Sequence, residues 1–313
     1  MTRRIPPRPA LGLTLLPLTV AACATGGTGG TGGTPAAETP ARTVSIDAAP
    51  LVSRDGFTGP EAVRYDADQD VYFVSNFGEG PSSARDDNGF ISLMSPDGVV
   101  QQLRFIAGGA AGVTLHAPRG MTIVGDTLWV ADADAVRGFD RRTGAPLASV
   151  DFSASDVGFL NDVAADATGA VYVTDTGRNR IYAVRGGPRV ALADSALGSP
   201  NGITWDGANA RFLVVPFGGA NALRSWTPGS DRLTDVATGP GGRYDGVEVL
   251  ADGRVLVASQ ADTSLHLFTN GVGRRIIRTT GSPADIAVDT RRGRVAVPYI
   301  RLNRVDIWEL PSP

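Results

Sequence analysis

Six matched sets of short strands, a repeat of about 40 residues and the absence of any long helical period predict an all-β chain built as a six-bladed β-propeller. The runs "VYFVSN", "TLWVAD", "AVYVTD", "RFLVVP", "RVLVAS" and "RVAVPY" are rich in β-branched and aromatic residues, and each ends at a turn-prone residue or proline. Each is preceded by another strand with its own lead-in, from "GPEAVRYDADQD" through "APRGMTIVGD", "FLNDVAADATG", "SPNGITWDGANA" and "YDGVEVLADG" to "SPADIAVDTRRG". Each is followed by a third strand, such as "NRIYAV", "SLHLFT" or "NRVDIWEL".

The elements follow in chain order. Residues 1–22 combine a basic start, "MTRR", an apolar run, "ALGLTLLPLTV", too short to span a bilayer comfortably, and small residues leading to "VAAC". This pattern resembles a bacterial lipoprotein signal, which implies cleavage before Cys23 and lipid attachment to it. Ala24 in the following position implies an outer-membrane destination, facing the periplasm or the exterior. Residues 23–42, from "CATGGTGGTGGT" to "PAAETPA", are rich in Gly, Thr and Pro and read as a tether that cannot bury enough apolar surface to fold. Residues 43–313 form the propeller. Blade 1 carries an insertion, "FGEGPSSARDDNG", that accounts for its greater length, and the sixth unit has only three strands of its own. The segment "RTVSIDA" is a spare strand expected to close the last blade from outside and so remove an exposed edge.

Composition narrows the function. The net charge of −3 and the lack of a basic block beyond the N-terminus exclude a nucleic-acid binder. Cys23 is the single cysteine of the 313 residues, so no disulfide forms within the chain. All 29 basic residues are arginine. The expected partners are a small molecule and, through the lipid, a membrane; the protein is expected to be a monomer.

In a propeller the innermost strand of each blade lines a central channel, and the residue that begins it sits at one mouth. Those residues are Glu61, Arg119, Asn161, Asn201, Asp245 and Ala284. Four of them offer oxygen, two as carboxylates and two as amides, with no sulfur or imidazole among them. Such a set suits a hard divalent cation, and Ca2+ best, because it accepts six to eight oxygens in flexible geometry. An isolated Asn-Gly or Asp-Gly pair is usually a hairpin turn, but the residues preceding these pairs, "ALGSP" and "GPGGRY", read as loop rather than strand. A purely structural ion remains the alternative.

Spacing, blade number and ring residues resemble the six-bladed calcium-dependent hydrolases. These are the senescence marker protein/gluconolactonase/luciferin-regenerating enzyme family, with paraoxonase, diisopropyl-fluorophosphatase and strictosidine-synthase-like relatives. The resemblance implies that Glu61 in "GPEAV", Asn161 in "FLND", Asn201 in "SPNG" and Asp245 in "YDGV" hold the cation, with another divalent metal as the alternative to calcium. It implies hydrolysis of lactones or esters, or of phosphotriesters. The cation would act as Lewis acid, Asp245 as the catalytic carboxylate and Asp162 as a second candidate base, its other reading being capping or pairing within the blade.

Two positions depart from that pattern. Phe159 stands where the gluconolactonases carry a substrate-contacting arginine, and Arg119 occupies the blade 2 ring position, where it binds a substrate anion or pairs with Glu61. His116, just before it, is a candidate substrate contact, histidines being used near the mouth by paraoxonase-like enzymes; the other reading is a loop histidine. Phe77, Phe217 and Tyr299 would make the mouth apolar. Asn76, Asp132, Asp175 and Gln260 end the second strands and read as turn caps or an outer polar rim. Finally, "DTGRNRIYAV" is similar to the repeat of NHL propellers, which implies a competing function: a non-catalytic module with a structural ion that binds a cell-envelope partner. The 77–89 insertion discriminates, since a lid over the channel favours an enzyme and a flap away from it favours binding.

Overall fold

The computed structural model describes residues 44–312 except 111 and 220. The signal and the tether, Cys23 included, lie outside the described residues. Six antiparallel sheets of four strands each form the blades. In blades 1 to 5 the chain runs from the innermost strand outward; blade 1, for example, comprises Pro60–Asp66, Val71–Asn76, Phe90–Met94 and Val100–Ala107. The inner strands of blades 3, 4 and 5 are Leu160–Ala165, Pro200–Asp206 and Tyr244–Val249.

Blade 6 draws on both ends of the described chain. Its own strands, Ala287–Asp289, Arg294–Tyr299 and Arg304–Glu309, are completed on the outside by Val52–Asp55. Val52 pairs with Ile307 and Asp55 with Arg304, so the N-terminal strand closes the last blade as expected. The residues differ from the expectation, however: "VSRD" closes the blade, not "RTVSIDA". Ser45 to Ala48 form a turn, in which the Ala48 amide bonds the Ser45 carbonyl at 3.0 Å. The Ile46 carbonyl then accepts from the Arg278 amide at 2.8 Å, placing this segment against the outer strand of blade 5, Val272–Arg278. Pro50, which has no amide to donate, follows the turn before the chain reaches blade 6.

The core is divided among the seams between blades. Among the described residues, one apolar cluster fills each of the six seams. Blades 3 and 4, for instance, meet through Phe212, which lies 4.8 Å from Trp205 and 5.1 Å from Tyr172 between ring centroids. Because apolar side chains are consumed between blades, the inner strand edges are free to carry polar residues. The sequence alternates accordingly.

Candidate metal centre and its cavity

The four oxygen-bearing ring residues share a backbone irregularity. Between the pairs Pro60↔Asn76 and Val63↔Val74, the inner strand of blade 1 has two residues, Glu61 and Ala62, opposite the single Ser75. The same two-against-one bulge holds Asn161–Asp162, Asn201–Gly202 and Asp245–Gly246. A bulge re-aims the side chain of its residues and ends regular pairing. Blade 2 repeats the arrangement just ahead of its first strand, Met121–Val124, where the Arg119 amide donates to the Ala131 carbonyl at 2.9 Å and the Ala131 amide to the Gly120 carbonyl at 3.0 Å.

Neighbouring inner strands approach each other closely beneath this ring. The Gly120 amide donates to the Asn161 carbonyl at 3.1 Å, and the Asp285 amide to that of Glu61 at 3.0 Å. A Cβ on Gly202 would lie 2.2 Å from the Asp245 carbonyl oxygen, and one on Gly246 would lie 2.5 Å from the Ile286 nitrogen. Glycine follows Asn201 and Asp245 because no other residue leaves room for the adjacent blade.

Three ring oxygens converge without protein donors. Glu61 Oε2, Asn201 Oδ1 and Asp245 Oδ1 are buried, and none accepts a hydrogen bond. Their neighbours orient them. Gln260 Nε2 donates to Asp245 Oδ2 at 2.6 Å, which leaves Oδ1 for the channel. Asn161 Nδ2 donates at 2.9 Å to Thr176 Oγ1, whose own proton goes to the Pro200 carbonyl, so the Asn161 carbonyl oxygen is the end left over. Burial pushes the Asp245 carboxyl up to about 7, against the opposing bond from Gln260. Burial and the nearby Asp245 charge hold Glu61 well above the usual carboxylate range. Buried oxygens with unused lone pairs are costly in an apolar setting, and a divalent cation removes that cost. The donor set therefore fits a hard cation.

A cavity of about 890 Å³ opens above the ring, with Glu61, Asn161, Asn201 and Asp245 in its lining. Its wall is largely apolar, with Phe77, Phe159, Phe217, Tyr299, Ile300 and Leu302. The insertion joins that wall through Phe77 and Ser82, so it borders the channel mouth.

Arg119 and His116 do not line the cavity; both hold the insertion. Arg119 is 1% exposed, donates to the Leu160 carbonyl at 3.0 Å and to that of Ser82, and packs its guanidinium 3.9 Å from the centre of the Phe159 ring. His116 Nδ1 accepts from the Asp87 amide at 3.1 Å. Its Nε2 lies 3.6 Å from Asp134. Asp162 is also turned away from the cavity. One of its oxygens accepts from the Val163 amide and the other from the Ile203 amide at 2.8 Å, so it ties blade 3 to blade 4. The sequence suggests capping or pairing within the blade; the bond to Ile203 instead runs between blades, and each oxygen already holds an amide donor.

The second-strand ends divide. Asp132 and Asp175 accept amides of the lead-in loops at His116–Ala117 and Gly158–Phe159, while Asn76 accepts the Thr58 amide; all three are the expected caps. Gln260 is not a cap but the partner of Asp245. Arg243, two residues before Asp245, lines the cavity although no motif in the sequence singles it out. The available signal was its offset, since Phe159 holds the corresponding place in blade 3.

Two other clusters have metal-like or catalytic composition. His116, Asp132 and Asp134 gather potential ligand atoms, but Arg137 already donates to Asp132 at 2.6 Å and to Asp134 at 2.8 Å. Ser264, His266 and Asp262 also meet, yet the same His266 Nε2 faces both Ser264 at 2.8 Å and Asp262 at 3.1 Å. A proton relay requires the two ring nitrogens to face different partners, so this buried set is structural.

No family model and no curated protein matches the chain. Solved structures do. A gluconolactonase from Xanthomonas campestris superposes with a TM-score of 0.62 at 18% identity, over 88% of this chain and 99% of that one. Regucalcin from Agrobacterium tumefaciens, described as a calcium-binding protein, gives 0.62 at 17%, over 87% and 95%. Virginiamycin B lyase from Staphylococcus aureus gives 0.59 at 12%, over 83% and 99%. The chain thus has the six-bladed fold of gluconolactonase-like propellers.

Proposed function

We propose that the protein is a metal-dependent hydrolase of lactones or esters, with Glu61, Asn161, Asn201 and Asp245 holding a divalent cation, calcium by donor chemistry, at the cavity floor. The observation that carries this reading is the convergence of the unpaired buried oxygens of Glu61, Asn201 and Asp245 beneath an open cavity. The bound cation would supply Lewis acidity toward a carbonyl oxygen. Asp245 presents one oxygen to the cavity while Gln260 holds the other, an arrangement suited to moving a proton to or from a bound ester or its leaving group. Asn161 and Asn201 contribute neutral oxygens, so the ring carries two formal negative charges against a dication.

The insertion over the mouth favours an enzyme over the NHL-like binding module. Phe77 and Ser82 line the cavity, while Arg119 holds the Ser82 carbonyl and His116 the Asp87 amide. A lyase reading finds less support. A lyase neighbour is catalytically inactive with alanine in place of a histidine, whereas neither of the two histidines here lines the cavity. The sequence further supports lipid attachment at Cys23 and a monomer tethered to the outer membrane.

The deciding experiment measures bound metal in the purified protein before and after chelation. It then assays lactones, aryl esters and phosphotriesters with the wild type, Asp245→Ala and Asn201→Ala. Metal bound near one equivalent, and hydrolysis lost on chelation and in both variants, is the expected result. Hydrolysis that survives both substitutions would place the chemistry elsewhere.

A further inference from the structure

The cavity lining includes two arginines that make no ion pair. Arg243 and Arg301 both line it, from the adjoining blades 5 and 6, and among the described residues neither is ion-paired. The contrast with Arg119 is direct: that guanidinium is buried and donates to two carbonyls, whereas Arg243 is exposed and its side chain donates to none. The Arg243 guanidinium rests on the Phe217 ring, 4.5 Å from its centre. Stacking holds the fork in place while leaving its N–H donors free.

The backbone adds an independent observation. The position two residues before the ring residue is left-handed in three blades, occupied by Gly59 at φ +63°, Ser199 at φ +58° and Arg243 at φ +48°. Glycine takes this conformation freely, and asparagine takes it more readily than most residues. An arginine held there accepts backbone strain, and such strain concentrates at functional sites. Gly241 and Gly242 directly precede it, so the loop already contains residues suited to the turn.

We infer that Arg243, assisted by Arg301, binds a fixed anionic group on the substrate, and that the substrate is an ester or lactone with an apolar body and a carboxylate or phosphonate-like group remote from the reacting carbonyl. This rests on the hydrolase reading above and specifies its substrate. With the ring's two carboxylates balanced by a dication, the arginines are the remaining net charge of the cavity lining. They face an apolar wall of Phe77, Phe159 and Phe217. Sugar lactones, polar throughout and uncharged, match neither feature.

The test compares three para-nitrophenyl esters in calcium: a glutarate monoester, its phosphonate counterpart and the neutral butyrate. The wild type should favour at least one anionic ester over butyrate by roughly tenfold or more in kcat/KM, the preference residing in KM. The larger ratio identifies the anion. Arg243→Asn, chosen because asparagine tolerates the left-handed backbone, should bring the ratio close to one; Arg301→Gln should reduce it less. A wild type that prefers butyrate, or an Arg243→Asn ratio equal to that of the wild type, overturns the inference. Calorimetric titration with phenylsuccinate and its dimethyl ester separates this from failure of the hydrolase reading. Even if no ester is hydrolysed, Arg243→Asn should weaken phenylsuccinate binding about tenfold; equal binding by wild type and variant overturns the inference.

Discussion

Replacing Asp245 by asparagine should stabilise the calcium-free protein and abolish its response to calcium. Asp245 is 3% exposed, and burial pushes its carboxyl from 3.8 to about 7. A raised folded-state value means that the stability this group contributes is fully present below about pH 4 and is lost as pH rises through about 7. At pH 8 the shift of roughly three units, at about 1.4 kcal/mol each, corresponds to a destabilisation of about 4 kcal/mol. The introduced amide can still accept from Gln260, so most of that should be recovered, about 2–4 kcal/mol. For a domain of this size the melting temperature should rise by roughly 5–10 °C. Calcium closes most of that gap. At one hundred times its Kd the cation stabilises the wild type by about 2.7 kcal/mol, and the variant, lacking a charged ligand, gains little. The assay is scanning calorimetry of both proteins at pH 5 and pH 8, with chelator and with calcium. In chelator the wild type should be less stable at pH 8 than at pH 5 from this group. A variant that melts lower than the wild type in chelator at pH 8, or that keeps the full calcium shift, would refute the argument.

Other outcomes follow from the same geometry. Gln260→Leu removes the bond that lowers the Asp245 value, so the acid limb of the kcat/KM profile should move to higher pH, with a loss of roughly tenfold at pH 7. Arg119→Met releases Ser82 and Leu160, and trypsin should then cut at Arg85 at least several times faster, as followed by mass spectrometry, while calcium affinity stays within about threefold. Gly202→Ala would force a Cβ to 2.2 Å from the Asp245 carbonyl; it should cost about 2–4 kcal/mol in urea unfolding and weaken calcium binding. Cys23→Ser should shift the expressed protein from the detergent phase to the aqueous phase on Triton partitioning; an unchanged distribution would exclude lipid attachment there.

The blades were legible because each repeats one hydrophobic pattern, and the pattern reports the seams that it fills. The ring was legible for the same reason: Glu61, Asn161, Asn201 and Asp245 occupy one offset in four units. What repeats did not encode was harder to read. Nothing local to Arg119 or His116 reveals that residues 82 and 87, from another blade, come to meet them. The bulges also escaped notice, since a two-against-one pairing depends on the partner strand as much as on its own residues. The closing strand was displaced for a related reason. "RTVSIDA" has good strand residues, but its Ser45–Ala48 turn and contact with Arg278 outweigh that preference. Gln260 ends a second strand just as Asp132 and Asp175 do, and only the folded blade brings Asp245 beside it.

The pairing of Val52–Asp55 with Arg304–Ile307 also governs when the ring can exist at all. Its two partners lie at opposite ends of the propeller sequence, so the last seam cannot be sealed until nearly the whole chain is available. Contacts of such long range form slowly, because a large loop must be closed before they contribute. Until then the strand Arg304–Glu309 presents an unpaired edge, the kind of template on which a second incomplete chain can dock. Folding yield in dilute refolding, and not only final stability, should therefore depend on those four N-terminal residues.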